Sequence, residues 1–319
     1  MILFMKPAFK QTIWGGRRLK DEYGYDIPGD DTGEAWLVSA HENGDCEILT
    51  EGFRGQTLSG LWNSHRELFG NLPGERFPLL IKIIDAEEDL SIQVHPDDRY
   101  AELHENGASG KTECWYVLDC KEEAGIVIGH NAGSPQEVRE MVENGRWSDF
   151  IRVVPVKKGD FFQIEPGCVH AIRRGTLILE TQQNSDITYR VYDYDRLRNG
   201  EKRPLHVQKS LDVITAPFVP ADPFTDEIER EETDGDGAVT VRPLVRCRYY
   251  GADKIVLDGT ETLLADYEVP FLTVTVIDGE GTVEGQHIGK GDCFVATYGG
   301  TKLEFEGNLT MIISWPVEI

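Results

Sequence analysis

The chain has 319 residues, with 32 Lys and Arg against 56 Asp and Glu and a net charge of −24. Forty per cent apolar and 28% charged residues make an ordinary globular composition, which excludes a disordered, collagen-like or disulfide-scaffolded chain. The acidic balance repels nucleic acid and anionic membranes, so neither is an expected partner, and an anionic substrate would need a local basic cluster.

The length is about twice that of a usual single domain, so two domains are expected. At the N-terminus, Lys6 and Pro7 interrupt the apolar start before a signal-peptide core can form. No apolar run is long enough to span a membrane. The six cysteines (46, 114, 120, 168, 247 and 293) form no C-x-x-C pair. Free thiols in a reducing, cytoplasmic setting are therefore expected.

A first helix is predicted over LSGLWNSHRELFG (58–70), ended by Gly70. Short runs rich in β-branched and aromatic residues then follow at 79–86, 91–95, 114–119, 125–129, 152–158, 161–165, 176–182 and 187–194. Strands so closely spaced, without regular intervening helices, point to a mainly β sandwich or barrel. A helix interrupts them where Ser134 is placed as N-cap, Pro135 at the first turn and Glu137 as the capping-box partner. Another is read over 205–214, with Val207, Leu211 and Ile214 at helical spacing. Residues 217–238 hold three prolines and eight acids against one Arg and read as a boundary or exposed linker. Strand signals resume at 254–257, 271–279, 281–285, 292–298 and 309–315, a second and smaller β unit.

A weak repeat links the two units. Gly159-Asp160-Phe161-Phe162 matches Gly291-Asp292-Cys293-Phe294. Eight residues past the first glycine stand Gly167 and Gly299. Eleven residues past it stand His170 in the first unit and Lys302 in the second. The repeat predicts one turn used twice, with a possible ligand kept only once.

Gln93 and His95, two apart on a predicted strand, share one face. Glu113 opens another strand, and His170 follows the Pro166-Gly167 turn at the start of a third. Two imidazoles and a carboxylate converging inside a barrel can hold a divalent transition metal, with Gln93 as a weak fourth ligand. A single histidine on a strand is as readily a hydrogen-bonded residue. The other histidines, His41 included, are read as structural.

The order Q-x-H, a distant Glu, then G-D-x-x-x-x-x-P-G-x-x-H resembles the cupin superfamily. Gln93 in place of a first His, and the loop 97–112 inserted before Glu113, resemble one family within it: the type I mannose-6-phosphate isomerases in their short bacterial form. The segments that carry this are GEAWLVS (33–39), ERFPLLIKIIDAEEDLSIQVHPDD (75–98), GKTECWYVLD (110–119), EPGCVHAI (165–172) and TQQNSDITYRVYDYDR (181–196). The resemblance spans about residues 33–206 and is looser at both ends.

The resemblance implies two jelly-roll cupin domains with a few inserted helices: a catalytic metal-binding unit over 1–235 and a degenerate, metal-free one over 236–319. It implies one Zn2+ per chain on His95, Glu113, His170 and Gln93. Arg190 takes the place of a catalytic arginine, and Lys111 and Arg196 those of basic residues that contact substrate. The implied reaction interconverts mannose 6-phosphate and fructose 6-phosphate by zinc-assisted proton transfer through a cis-enediol.

Arg190 does not deprotonate, so its expected work is on charge or phosphate. Arg196 opens RLRNGEKR (196–203), the densest basic run, and is expected to grip phosphate; a solvated loop is the alternative. The general base stays open between Lys111, a metal-activated water, Lys82 and Glu34. Trp14, Trp36 and Trp115 would wall the pocket or simply fill core. The rival readings are a non-haem iron cupin oxygenase and a non-catalytic sugar-binding cupin.

Overall fold

The computed structural model describes residues 1–198, 200–223, 232–233, 239–259 and 262–317. Most of the acidic stretch expected as a linker, at 224–231 and 234–238, lies outside the described residues.

The first unit is two antiparallel sheets face to face. One has six strands, in the order Phe161–Ile164, Glu113–Cys120, Thr176–Gln183, Leu79–Ala86, Thr32–Val38 and Ala8–Gly16. The other has five: Ile151–Pro155, Gly125–His130, His170–Ile172, Ile92–Val94 and Tyr189–Tyr192. Trp14, Ile84, Trp115, Ile126, Ile172 and Ile178 belong to one apolar cluster drawn from both sheets. The central strands Leu79–Ala86 and Thr176–Gln183 are buried at every position. A strand covered on both faces needs no apolar–polar alternation. That is why LLIKIIDA and TLILET read as continuous runs, and why a Lys or Glu inside them is conspicuous.

Helices pack outside this sandwich. Pro135–Glu143 buries Val138, Met141 and Val142 in the same cluster as Ile92, Val127 and Tyr189 of the five-stranded sheet, and Val207–Val213 packs half-buried Val207, Leu211 and Val213 against it. Ser134 Oγ accepts the Glu137 amide as expected, but the Glu137 carboxylate reaches back to the amide of Gly133, one residue before the cap. The single helix expected over 58–70 is two pieces. Leu58–Ser64 is α-helical, the chain leaves helical geometry at His65 (φ −134°, ψ 53°), and Arg66–Phe69 is a 3-10 turn. Ser59, Gly60, Asn63 and Ser64 are poor helix-interior residues, so little opposes the break. Gly70 ends it in the left-handed region, as expected (φ 67°). The inserted loop 97–112 holds an unforeseen helix, Asp98–His104, capped by Asp97 through the Tyr100 amide. The strand expected over 187–194 stops at Tyr192, because Tyr194 and Asp195 both turn to positive φ.

The largest sheet has ten strands and holds every described strand from Val239 to Pro316. Its long members are Val239–Arg246, Tyr250–Leu257, Lys302–Pro316 and Leu272–Val283. An N-terminal strand missed in the sequence, Ile2–Lys6, pairs with Cys293–Ala296 in this sheet, with Leu3 opposite Val295. The first residues of the chain thus tie the two units together.

The repeated turn is the same structure twice. Gly159 and Gly291 have φ of 90° and 97°. Asp160 accepts the Lys157 amide at 2.9 Å, and Asp292 accepts the Gly289 amide at 2.8 Å. The amides of Gly159 and Gly291 donate to Val117 and Val276, which return bonds to the carbonyls of Asp160 and Asp292. Eleven residues on, His170 is buried while Lys302 is exposed and paired with Asp266 at 3.1 Å.

Where Leu79–Ala86 ends, Asp85 is buried. One of its oxygens accepts the Arg18 amide at 2.8 Å, and the other has no partner. Burial pushes its carboxyl up to about 6, with the Arg18 contacts opposing. The native state therefore holds this proton after the unfolded chain has released it, so stability from this group falls as pH rises from about 4 to about 6. Asp85→Asn is expected to exceed the wild type by roughly 1–2 kcal/mol in urea unfolding at pH 7 and to lose that margin near pH 4. A margin equal at both pH values would contradict this.

Candidate metal centre

Three strands bring the expected ligands together. His170 begins one strand of the five-stranded sheet and stands opposite Gln93 on its neighbour. His95 directly follows that neighbour, Ile92–Val94. Glu113 opens a strand of the facing sheet, so it meets the imidazoles across the sandwich. Among the described residues, His95, Glu113 and His170 form the one group placed to share a metal ion, with ligand atoms within 4.8 Å of one another. All three are at most 1% exposed.

Backbone carbonyls fix the tautomers. His95 Nδ1 lies 2.7 Å from Ile187 O, and His170 Nδ1 lies 2.9 Å from Cys168 O. A carbonyl only accepts, so each Nδ1 carries hydrogen and each Nε2 presents its lone pair. Those two Nε2 atoms face each other at 3.1 Å. Burial, then Lys111, pushes His95 down to about 3, and burial lowers His170. Both rings are therefore neutral ligands at ordinary pH. Burial opposes charge on Glu113, but the Lys111 ammonium beside it outweighs this and holds its carboxyl well below the usual range. Neither Glu113 oxygen accepts a hydrogen bond of good geometry.

These residues fit a divalent ion. Glu113 oxygens lie 3.4 Å from each Nε2. Tetrahedral ligands about 2.0–2.1 Å from zinc stand about 3.3–3.4 Å apart. Gln93 is adjacent, but its Nε2 is the atom 3.2 Å from His170 Nε2. To ligate, its amide must be turned over, which exchanges two nearly isosteric atoms.

Lys111 Nζ reaches Glu113 at 2.7 Å, His95 Nε2 at 3.2 Å and Glu180 at 3.4 Å. Lys82 continues the chain of charge, 3.1 Å from Glu180 and 3.6 Å from Glu34. It stands directly opposite Glu180 in the sheet. Burial works against the Lys82 charge, but Glu180, Glu34 and Glu113 outweigh it and raise its pKa, so Lys82 is a poor base. Glu180, also held by Trp115 Nε1 at 3.0 Å, was missed in the sequence. Its signal is a carboxylate in the fully buried strand Thr176–Gln183.

A cavity of about 250 Å³ opens beside this cluster, lined by Gln93, Lys111, Glu180, Lys82, Arg190 and Trp14 among others. It meets the three ligands through Gln93 and Lys111, whereas two larger cavities, about 430 and 460 Å³, flank residues 74–77 and are lined by neither. Arg190 stands opposite Gln93 in the sheet. His206, unmarked in the sequence, accepts the Arg190 amide and donates its own amide to the Arg190 carbonyl.

Arg196 lies apart from the cavity. Its guanidinium binds Asp193 and the carbonyl of Asp89 and does not line the cavity; Arg198 and Arg203 do. Trp14 lines the cavity, Trp115 lies edge-on to His170 in the core, and Trp36 does not line the cavity but donates to Glu34, which does. His41 faces Asp186, away from the cluster.

A cupin-type sandwich with a buried His–Glu–His trio beside a cationic cavity defines a metal-binding cupin enzyme. A family model for the type I phosphomannose isomerase catalytic domain matches residues 2–129. The mannose-6-phosphate isomerase ManA of Bacillus subtilis is 46% identical over 317 residues, 98% of each chain. A mannose-6-phosphate isomerase of Streptococcus mutans is 42% identical over 318 residues, 98% of this chain and 97% of its own. The crystal structure of a Bacillus subtilis mannose 6-phosphate isomerase matches with a TM-score of 0.91 at 42% identity, covering 98% of this chain and 99% of that one. The chain belongs to the type I phosphomannose isomerase family, and the likeness runs well beyond residues 33–206. Among the described residues, no helix is long and apolar enough to cross a membrane.

Glu180→Ala would leave Lys82 and Lys111 buried with one fewer counter-charge. A loss of roughly 3 kcal/mol of stability is expected, read by thermal and urea unfolding. A change under about 1 kcal/mol would mean that the buried charges are not coupled.

Proposed function

We propose that this chain interconverts mannose 6-phosphate and fructose 6-phosphate, with one zinc ion held by His95, Glu113 and His170 and Gln93 as the fourth protein ligand. The observation that carries the reading is the pair of neutral imidazole lone pairs aimed at one point beside a buried carboxylate with unmet acceptors. When bound, the ion supplies Lewis-acid stabilisation of negative charge on the sugar oxygens.

The chain's own residues do the rest. Lys111, ion-paired with Glu113 and Glu180, is set to donate hydrogen bonds to the oxygens at C1 and C2 and to stabilise the charge that develops there as the proton passes from C2 to C1. Arg190, separated from His170 by the strand of Gln93, stabilises the charge that develops when C2 loses its proton. Trp14 and Ile172 keep the inner wall apolar, which strengthens every charge interaction there. The substrate partner is a small sugar phosphate.

The catalytic, metal-holding unit is proposed as residues 1–235 and the metal-free one as 236–319. The repeated glycine-aspartate turn with exposed Lys302 in place of His170 supports that division.

A coupled assay for fructose 6-phosphate tests the activity directly. Metal analysis of protein purified without added metal should find zinc near one per chain; iron with oxygen consumption would favour an oxygenase. His170→Ala is expected to lose the metal and to lower kcat/KM more than about a hundredfold. Retention of both by that variant would displace the site. In deuterated water the product should carry solvent deuterium, whereas its absence at early times would indicate hydride transfer.

A further inference from the structure

Five cationic side chains line the cavity beside the ligand cluster: Lys82, Lys111, Arg190, Arg198 and Arg203. In a chain with 56 acids against 32 bases, a carboxylate is available to nearly every cation. Lys82 pairs with Glu180 and Glu34, Lys111 with Glu113, and Arg203 with Asp193 through bonds of 2.7 and 2.5 Å. Arg190 and Arg198 make no ion pair among the described residues. Arg190 Nε is buried without a hydrogen-bond partner. The recorded bond of Arg198 is a long one, 3.5 Å from Nη2 to the Gln11 carbonyl. Thr12 lines the same cavity, and its hydroxyl is also buried without a partner.

Strand register separates the two arginines. Arg190 is opposite Gln93, which is opposite His170, so it serves the reacting end. Arg198 sits farther out, exposed on the two-stranded ribbon of Leu197–Arg198 and Glu201–Lys202. We propose that Arg198, with the Thr12 hydroxyl as a neutral donor, grips the phosphoryl group and makes the site selective for a phosphorylated sugar. This rests on the reading of the cavity as a sugar-phosphate site. An uncommitted guanidinium offers its planar fork to a phosphate dianion without first breaking a carboxylate pair. Arg203 and Arg196 would each have to leave Asp193, which is 4% exposed and holds both. Asp193 therefore keeps these neighbours aside and leaves Arg198 to meet the ligand.

The test compares Arg198→Ala, Arg198→Lys and Arg196→Ala in steady-state turnover of mannose 6-phosphate, with inorganic phosphate as competitor. Arg198→Ala should raise KM and the phosphate inhibition constant together by about ten- to a hundredfold, with kcat changed less than about threefold. Arg198→Lys should recover part of the loss, because it keeps charge without the fork. Arg196→Ala should leave both constants within about threefold of wild type. Unchanged constants in Arg198→Ala, or an equal rise in Arg196→Ala, would overturn the assignment. Calorimetric titration of wild type and Arg198→Ala with inorganic phosphate reads the grip without turnover. Failure of the isomerase reading would appear instead as a wild type that binds phosphate and does not convert the sugar.

Discussion

Two buried imidazole nitrogens that face each other with lone pairs set the terms for this molecule. Their carbonyl partners select the tautomer, and burial opposes protonation. Such an arrangement is poor as a resting hydrogen-bond pattern and good as half of a ligand cage. Lys111 and the Gln93 amide now lend hydrogens to the two nitrogens. A divalent ion would take those lone pairs from both donors.

The charge around the cage is ordered by the same economy. From Glu34 to Glu113 the signs alternate through Lys82, Glu180 and Lys111 along the inner wall. Alternation lets five charged groups sit in a low-dielectric interior, where any one alone would be expelled or neutralised. It also fixes the ammonium of Lys111 between two carboxylates beside the reacting end. Outside this chain of pairs, Arg190 and Arg198 stand without carboxylates, at the places where a substrate's negative charge would arrive.

Much of this was legible in the sequence. The strands of the first unit from Leu79 onward, the Ser134 cap and the His95–Glu113–His170 trio followed from residue type, turn residues and motif order, whereas Ala8–Gly16 and Thr32–Val38 were not foreseen. The repeated turn was legible from four residues, because Gly-Asp geometry is local. What escaped depends on distant partners. Ile2–Lys6 shows nothing to say that it pairs with Cys293–Ala296. The break at His65 follows from weak helix formers that a periodic pattern hides. A basic run does not reveal which of its members an acid will hold; Asp193, three residues away, holds Arg196. Glu180 was readable as a carboxylate in an apolar strand, but its neighbours Lys82 and Lys111 come from separate segments.

Each ligand ring owes its orientation to main-chain oxygen, at Ile187 and Cys168. Side-chain replacement cannot delete such a partner. Drift during evolution could therefore recolour most of the surroundings while the two rings kept their aim. The vulnerability moves to chain path: an insertion or deletion near 168 or 187 would swing a ring that no neighbouring substitution could.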